Sequence, residues 1–226
     1  LTIYYFEDKW RMSTRKCLRS DISYWSSDKT HNDMFLETLG DSFINFTKLL
    51  NKNNYYMFTL VHHENKNIID YSFKFDNKEY KKIVHVMTRD NKNHKEVDDT
   101  ETYKRLENKY GIVLPKEHKD YTLLDNENNT ETIKLPLKFG GLIIKNFNKE
   151  TGKTDLLKLE TNSYQMMSVL QPNTNNIYKS FVELYQNDML KKHLEYFPGN
   201  TKMKNPIYDE IPYDTIGIVD ATFKVL

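Results

Sequence analysis

Short runs of alternating apolar and polar residues, joined by polar turns, recur along this chain and constrain its fold more than any other feature. Leu1 to Phe6 and Trp10 to Thr14 flank Glu7-Asp8-Lys9. Tyr55 to Val61 is followed by the turn His63-Glu64-Asn65-Lys66 and by Asn67 to Phe75, which reads as its return strand. Lys82 to Thr88, Ile133 to Leu137, Gly141 to Phe147 and Thr154 to Leu159 repeat the pattern, and Ile22 to Trp25 suggests one more short strand. A two-residue period buries one face of a strand, and a short polar turn returns the chain antiparallel. Hairpins outnumber strand-helix-strand units, so the expected fold is α+β, mainly antiparallel sheets with flanking helices.

Helical spacing takes over in three places. Met34, Phe35, Leu39, Phe43, Phe46 and Leu50 follow the N-cap cluster Ser26-Ser27-Asp28, with a break near Gly40. Thr100 opens a helix carrying Tyr103, Leu106 and Tyr110 on one side, and Gly111 suits its C-cap. Beyond the strands come Tyr164 to Leu170 and one longer helix from about Asn175 to Tyr196. Tyr178, Phe181, Val182, Tyr185, Met189 and Leu190 read as its core-facing stripe. The division expected is residues 1–164 as a mixed domain and 165–226 as a helical C-terminal extension.

With 226 residues, 16 Tyr and 12 Phe, the chain can bury a sizeable aromatic core. A net charge of +1 supplies no global field for a polyanion, so any nucleic-acid contact needs local clusters of Lys and Arg. Cys17 is the only cysteine, which excludes an internal disulfide and points to a reducing compartment. No apolar run approaches the roughly 18 to 20 residues that span a bilayer, so no membrane partner is expected.

Several segments carry a further pattern. Leu1-Thr2-Ile3-Tyr4-Tyr5 is followed by Ser13-Thr14-Arg15, then by Phe58-Thr59-Leu60-Val61 with Asn67-Ile68-Ile69, and by Lys82 to Asn91 ending near Arg89. Phe139-Gly140-Gly141-Leu142-Ile143-Ile144-Lys145 and Leu157-Lys158-Leu159-Glu160-Thr161-Asn162-Ser163-Tyr164 complete it. In order and spacing these resemble the nucleotide-pocket motifs of phage-type RNA ligases, in the covalent nucleotidyltransferase superfamily. The likeness extends over residues 1 to about 198 and is particularly to RNA-ligase-like proteins of large DNA viruses.

The resemblance implies an ATP-dependent ligase adenylation-domain-like fold for residues 1–164 and an RNA ligase activity that proceeds through lysyl-AMP to seal RNA ends. ATP and Mg²⁺ are the cofactors it implies if the chain is active, and a nucleotide and RNA the partners. The nucleophilic lysine of the family's K-x-D-G-S/T motif would precede Leu1. Arg15, Phe58, Thr59, Arg89, Gly141 and Lys158 map onto nucleotide-binding positions, with Lys158 also the catalytic phosphate-contacting lysine. The localisation implied is intracellular and cytoplasmic, as for a viral protein in host cytoplasm.

Three departures open a second reading. Thr59 and Gly140 stand where the family has glutamates, and Glu160 stands where it has a second lysine. The alternative is a catalytically degenerate nucleotide- or RNA-binding module retaining the ligase fold, and a third is a structural protein whose cleft is filled by side chains. Arg15 and Arg89 also read as solvated strand-end charges. His62 and His63, as neighbours on a strand, face opposite sides and cannot easily ligate one ion, so no metal ligand is assigned and both read as exposed turn histidines.

Overall fold

The computed structural model describes residues 1–24, 27–65, 68–69, 71–120, 122, 124, 137–171 and 177–197. The expected strand Ile133 to Leu137, apart from Leu137 itself, lies outside the described residues, as do Trp25 and everything beyond 197. Within the described residues the fold is mixed, with antiparallel sheets and flanking helices.

β1 (Thr2–Phe6) and β2 (Lys9–Ser13) form a hairpin whose turn residues Glu7 and Asp8 take φ of 48° and 58°. Left-handed turns of this kind match the twist of a hairpin. β3 (Asn54–His62) pairs with β1 and with β4 (Lys81–Asp90), giving a four-stranded sheet in the order β2-β1-β3-β4. A register shift falls between Met57 and Phe58, where Met57 faces Met87 but Phe58 faces His85. Val86 is the extra residue, which lets His85 and Thr88 both turn inward and bond each other at 3.0 Å.

α1 (His31–Leu39), α2 (Phe43–Thr47) and α4 (Thr100–Tyr110) accompany this sheet. Gly40, at φ 69°, ends α1 where the sequence predicts a break. Ile3, Met12, Phe35, Phe46, Tyr56, Phe58, Ile83, Leu106 and Ile112 make the core, with Phe35, Phe46 and Phe58 meeting edge to face at 5.5 to 6.1 Å. Burying such a side chain contributes about 1.5 to 3 kcal/mol, so this aromatic triad anchors the sheet.

Four expectations need correction. The described part of the expected return strand Asn67 to Phe75 is not the partner of β3, which pairs with β4 along its length. Ser72–Phe75 is instead a short helix, α3, because helical spacing lets Tyr71 and Phe75 both pack on buried Tyr80, at 6.2 and 5.7 Å. Ser20–Ile22 is a 3-10 turn, not a strand; Arg19 clamps Asp21 at 2.6 Å, and Ile22 stays exposed. The N-cap of α1 is Thr30, which exchanges bonds with Asp33 in a capping box, while Ser27 is occupied by Glu64. Finally, the long C-terminal helix is two.

Those two are α6 (Ile177–Gln186) and α7 (Leu190–Tyr196), separated where Asp188 adopts φ 59°. A short polar side chain tolerates that left-handed conformation. Phe181, Leu184 and Leu190 close the corner into a small apolar cluster. The two-stranded sheet β5 (Gly141–Asn148) and β6 (Lys153–Glu160) is the predicted hairpin. It runs into α5 (Asn162–Leu170), capped by Thr161, whose Met167 and Leu170 pack with Leu137, Ile68 and Ile69. No described helix is long and apolar enough to cross a membrane.

Candidate functional site

Alternation along β3 divides the expected pair of site residues. Phe58 is buried in the core, and Thr59 is exposed on the opposite face of the sheet. That face also carries Tyr55 and Met57, and from the neighbouring strand Arg89, the register partner of Tyr55. Arg89 reaches out of it to the hairpin, its Nη2 donating to the Thr154 carbonyl of β6 at 2.7 Å. Glu96 adds a second link, accepting from Thr154 Oγ1 at 2.6 Å and pairing with Lys145 of β5. Thr154, Leu156, Lys158 and Glu160 share one face of β6, and through Thr154 and Lys145 that face of the hairpin is tied to Arg89 and Glu96 at the end of β4.

Arg89, a candidate cation, is thus a strut between strands, satisfied by backbone and by Met87 Sδ at 3.2 Å. Arg15 lies in a tight turn after β2, where Thr14 Oγ1 accepts from the Lys16 and Cys17 amides at 3.3 and 3.0 Å. Its side chain is exposed, and no carboxylate pairs with it among the described residues.

Lys158 is differently placed. Its Nζ is 2.5 Å from Glu160 Oε1 and lies over the Tyr164 ring, 4.7 Å from the centroid. Burial works to lower this ammonium's pKa, but Glu160 and Tyr164 outweigh it and hold the group raised. Lys158 is therefore firmly cationic, with its charge already answered. Tyr71 stands close enough to feel both Lys158 and Tyr164, and burial raises its phenol.

The glycines beside this lysine have different roles. Gly141 has φ 143°, and an added Cβ would lie 2.0 Å from the Leu159 carbonyl oxygen, so the position serves the hairpin's close backbone approach. At Gly140 a Cβ would meet Tyr164 at 2.9 Å and Ile69 at 3.0 Å. Those two side chains fill the direction a longer residue would need. With Thr59 offering a hydroxyl and Gly140 no side chain, these positions lack the carboxylate oxygens Mg²⁺ prefers, and the residues present do not fit that ion.

A second cluster was not legible as a unit in the sequence. His62 closes β3 with its side chain fully buried, and His63 opens a 3-10 turn. Leaving the strand at that peptide breaks the alternation, so the two rings do not part. They stack at 4.6 Å with 21° between planes. The reading of both as exposed turn histidines on opposite sides is corrected accordingly.

Glu37 of α1 faces the pair, its Oε1 3.7 Å from His62 Nε2. The ligand atoms of Glu37, His62 and His63 all fall within 4.8 Å of one another. Lys29 bridges Glu37 and Glu64 at 2.7 Å each, and Lys81 approaches Glu37 at 3.2 Å. The hydrogen bond from Lys29 leads the effects that bring the Glu37 carboxyl down to about 2, while burial and then His63 lower His62. His62 Nδ1 accepts the Glu64 amide at 3.2 Å, which leaves the neutral ring's proton on Nε2. That buried Nε2 has no hydrogen-bond partner. The only sequence signal was the His-His-Glu run at a strand end; Glu37's approach comes from tertiary packing.

Comparison with known protein families and with curated proteins returns no match for the chain.

Proposed function

We propose that this chain is a nucleotidyltransferase-like module that binds an adenine nucleotide, free or at an RNA end, without forming lysyl-AMP. The observation that carries this reading is the 2.5 Å pairing of Lys158 with Glu160 on one face of β6. A phosphoryl-transfer site must hold uncompensated positive charge where negative charge develops. Here the lysine in the family's phosphate-contacting position spends its charge on a neighbouring carboxylate.

The ligase expectation meets two further obstacles. Thr59 and Gly140 supply no carboxylate, and Tyr164 and Ile69 crowd the space at Gly140. Binding needs less than catalysis does. Tyr164 and Tyr71 offer aromatic surface beside Lys158, itself a paired but half-exposed ammonium.

The test is equilibrium binding of a fluorescent ATP analogue to the natural full-length chain, with denaturing electrophoresis after incubation with labelled ATP and Mg²⁺. Saturable binding weakened by Lys158→Ala, with no label surviving denaturation, is the expected result. Label that persists restores the ligase reading. Absence of any binding removes the nucleotide reading altogether.

A further inference from the structure

We propose that Glu37, His62 and His63 form a binding site for a borderline divalent metal of the Zn²⁺ or Co²⁺ type. Three observations converge. Ligand atoms from two imidazoles and one carboxylate lie within 4.8 Å of one another. One of the imidazoles is fully buried, and its Nε2 is unpartnered and 3.7 Å from Glu37 Oε1. The other stacks on it from a 3-10 turn, with its Nε2 3.8 Å from Glu64 Oε1, so a second carboxylate or water would complete four-coordination.

Chemistry selects the class of ion. Imidazole nitrogen suits Zn²⁺, Co²⁺ and Ni²⁺, whereas Mg²⁺ and Ca²⁺ demand oxygen donors. The same geometry shows what binding must displace. Lys29 and Lys81 neutralise the carboxylates, but their side chains are 42% and 43% exposed and can swing into water. The His62 ring must also move its remaining proton to Nδ1 when Nε2 becomes a ligand, and so must release the Glu64 amide. A metal therefore competes with two ammonium groups and one backbone hydrogen bond.

That competition gives the site a signature. Titration of the apo full chain with Co²⁺ is expected to develop the visible absorption of tetrahedral coordination, and Zn²⁺ to bleach it. His63→Ala and Glu37→Gln each weaken binding at least tenfold. Lys29→Ala, which removes a competitor, tightens it several-fold, and the Glu64 amide resonance shifts as metal is added. His63 is partly exposed, so its alanine variant keeps the fold, which circular dichroism verifies. Binding that survives His63→Ala unchanged would place the metal elsewhere in the chain and overturn the site. Absence of Co²⁺ absorption, or Lys29→Ala weakening the binding, would overturn it equally.

Discussion

Removing the carboxylate that answers Lys158 tests the electrostatics around that ammonium directly. Glu160 Oε1 lies 2.5 Å from Lys158 Nζ, and the two side chains are 28% and 52% exposed. A phosphate that contacts Lys158 sits about 4 Å from that carboxylate, where unit charges repel by about 1 kcal/mol in water and about 4 kcal/mol at an effective dielectric near 20. The exposure of Lys158 puts the site toward the watery limit. Glu160→Gln is thus expected to improve affinity for an ATP analogue about fivefold, the equivalent of about 1 kcal/mol. Glu160→Lys exchanges repulsion for attraction and doubles the energy, for a gain of roughly 30-fold. Fluorescence anisotropy at low ionic strength reads both, and raising the salt should shrink both gains as screening sets in. The exposed turn residue Glu150 provides the control. Unchanged affinity in Glu160→Gln, or an equal gain from Glu150→Gln, would refute the assignment of Lys158 to an anion. Fold stability itself should move by less than about 1 kcal/mol, as for other partly exposed ion pairs.

Gly141→Ala combines φ 143° with a 2.0 Å approach to the Leu159 oxygen, so urea denaturation should show a loss of about 3 kcal/mol. Gly40→Ala, left-handed but facing open space, should lose only about 1 kcal/mol in the same assay. Thr30→Ala removes the capping box of α1 and should cost about 1 kcal/mol, read from the shift in thermal midpoint. His62, His85 and His193 are buried and their pKa values lowered, chiefly by burial, so the unfolded chain takes up protons more readily than the folded one. Stability should be full above the ordinary histidine range near 6.5 and fall as pH drops below it, with a limiting slope of about 1.4 kcal/mol per pH unit for each histidine. A flat denaturation midpoint between pH 7 and 5 would contradict that burial.

Where local chemistry dictates structure, the sequence was readable. Thr100 to Tyr110 and the Gly111 stop, the Gly40 break, and the 141–160 hairpin all emerge where expected, because each is fixed by spacing and by nearby turn residues. The failures share a different cause. Tyr71 and Phe75 suit a strand by composition, but buried Tyr80 selects a helix for them. The N-cap moved to Thr30 because Ser27 found a partner in Glu64, far along the chain. Within the candidate sites, Lys158 and Glu160 share a face as residues two apart on a strand must, whereas Phe58 and Thr59, taken together as one site, part because neighbours on a strand point opposite ways. Arg89's use as a strut and the meeting of Glu37 with His62 depend on contacts between distant segments, which periodicity does not encode.

The order β2-β1-β3-β4 gives the larger sheet two unlike borders. On the β4 side, bridges from Glu96 and Val113 continue the ladder and occupy its backbone groups. On the β2 side no further strand pairs among the described residues, and Lys9 and Arg11 stand along the rim, with Arg11 tied to Glu7 at 2.8 Å. A second molecule adding there as a strand must desolvate these charged side chains, which disfavours amyloid-like stacking at the outer rim. Neutralising both positions with valine would remove the deterrent and turn a soluble border into a template for growth.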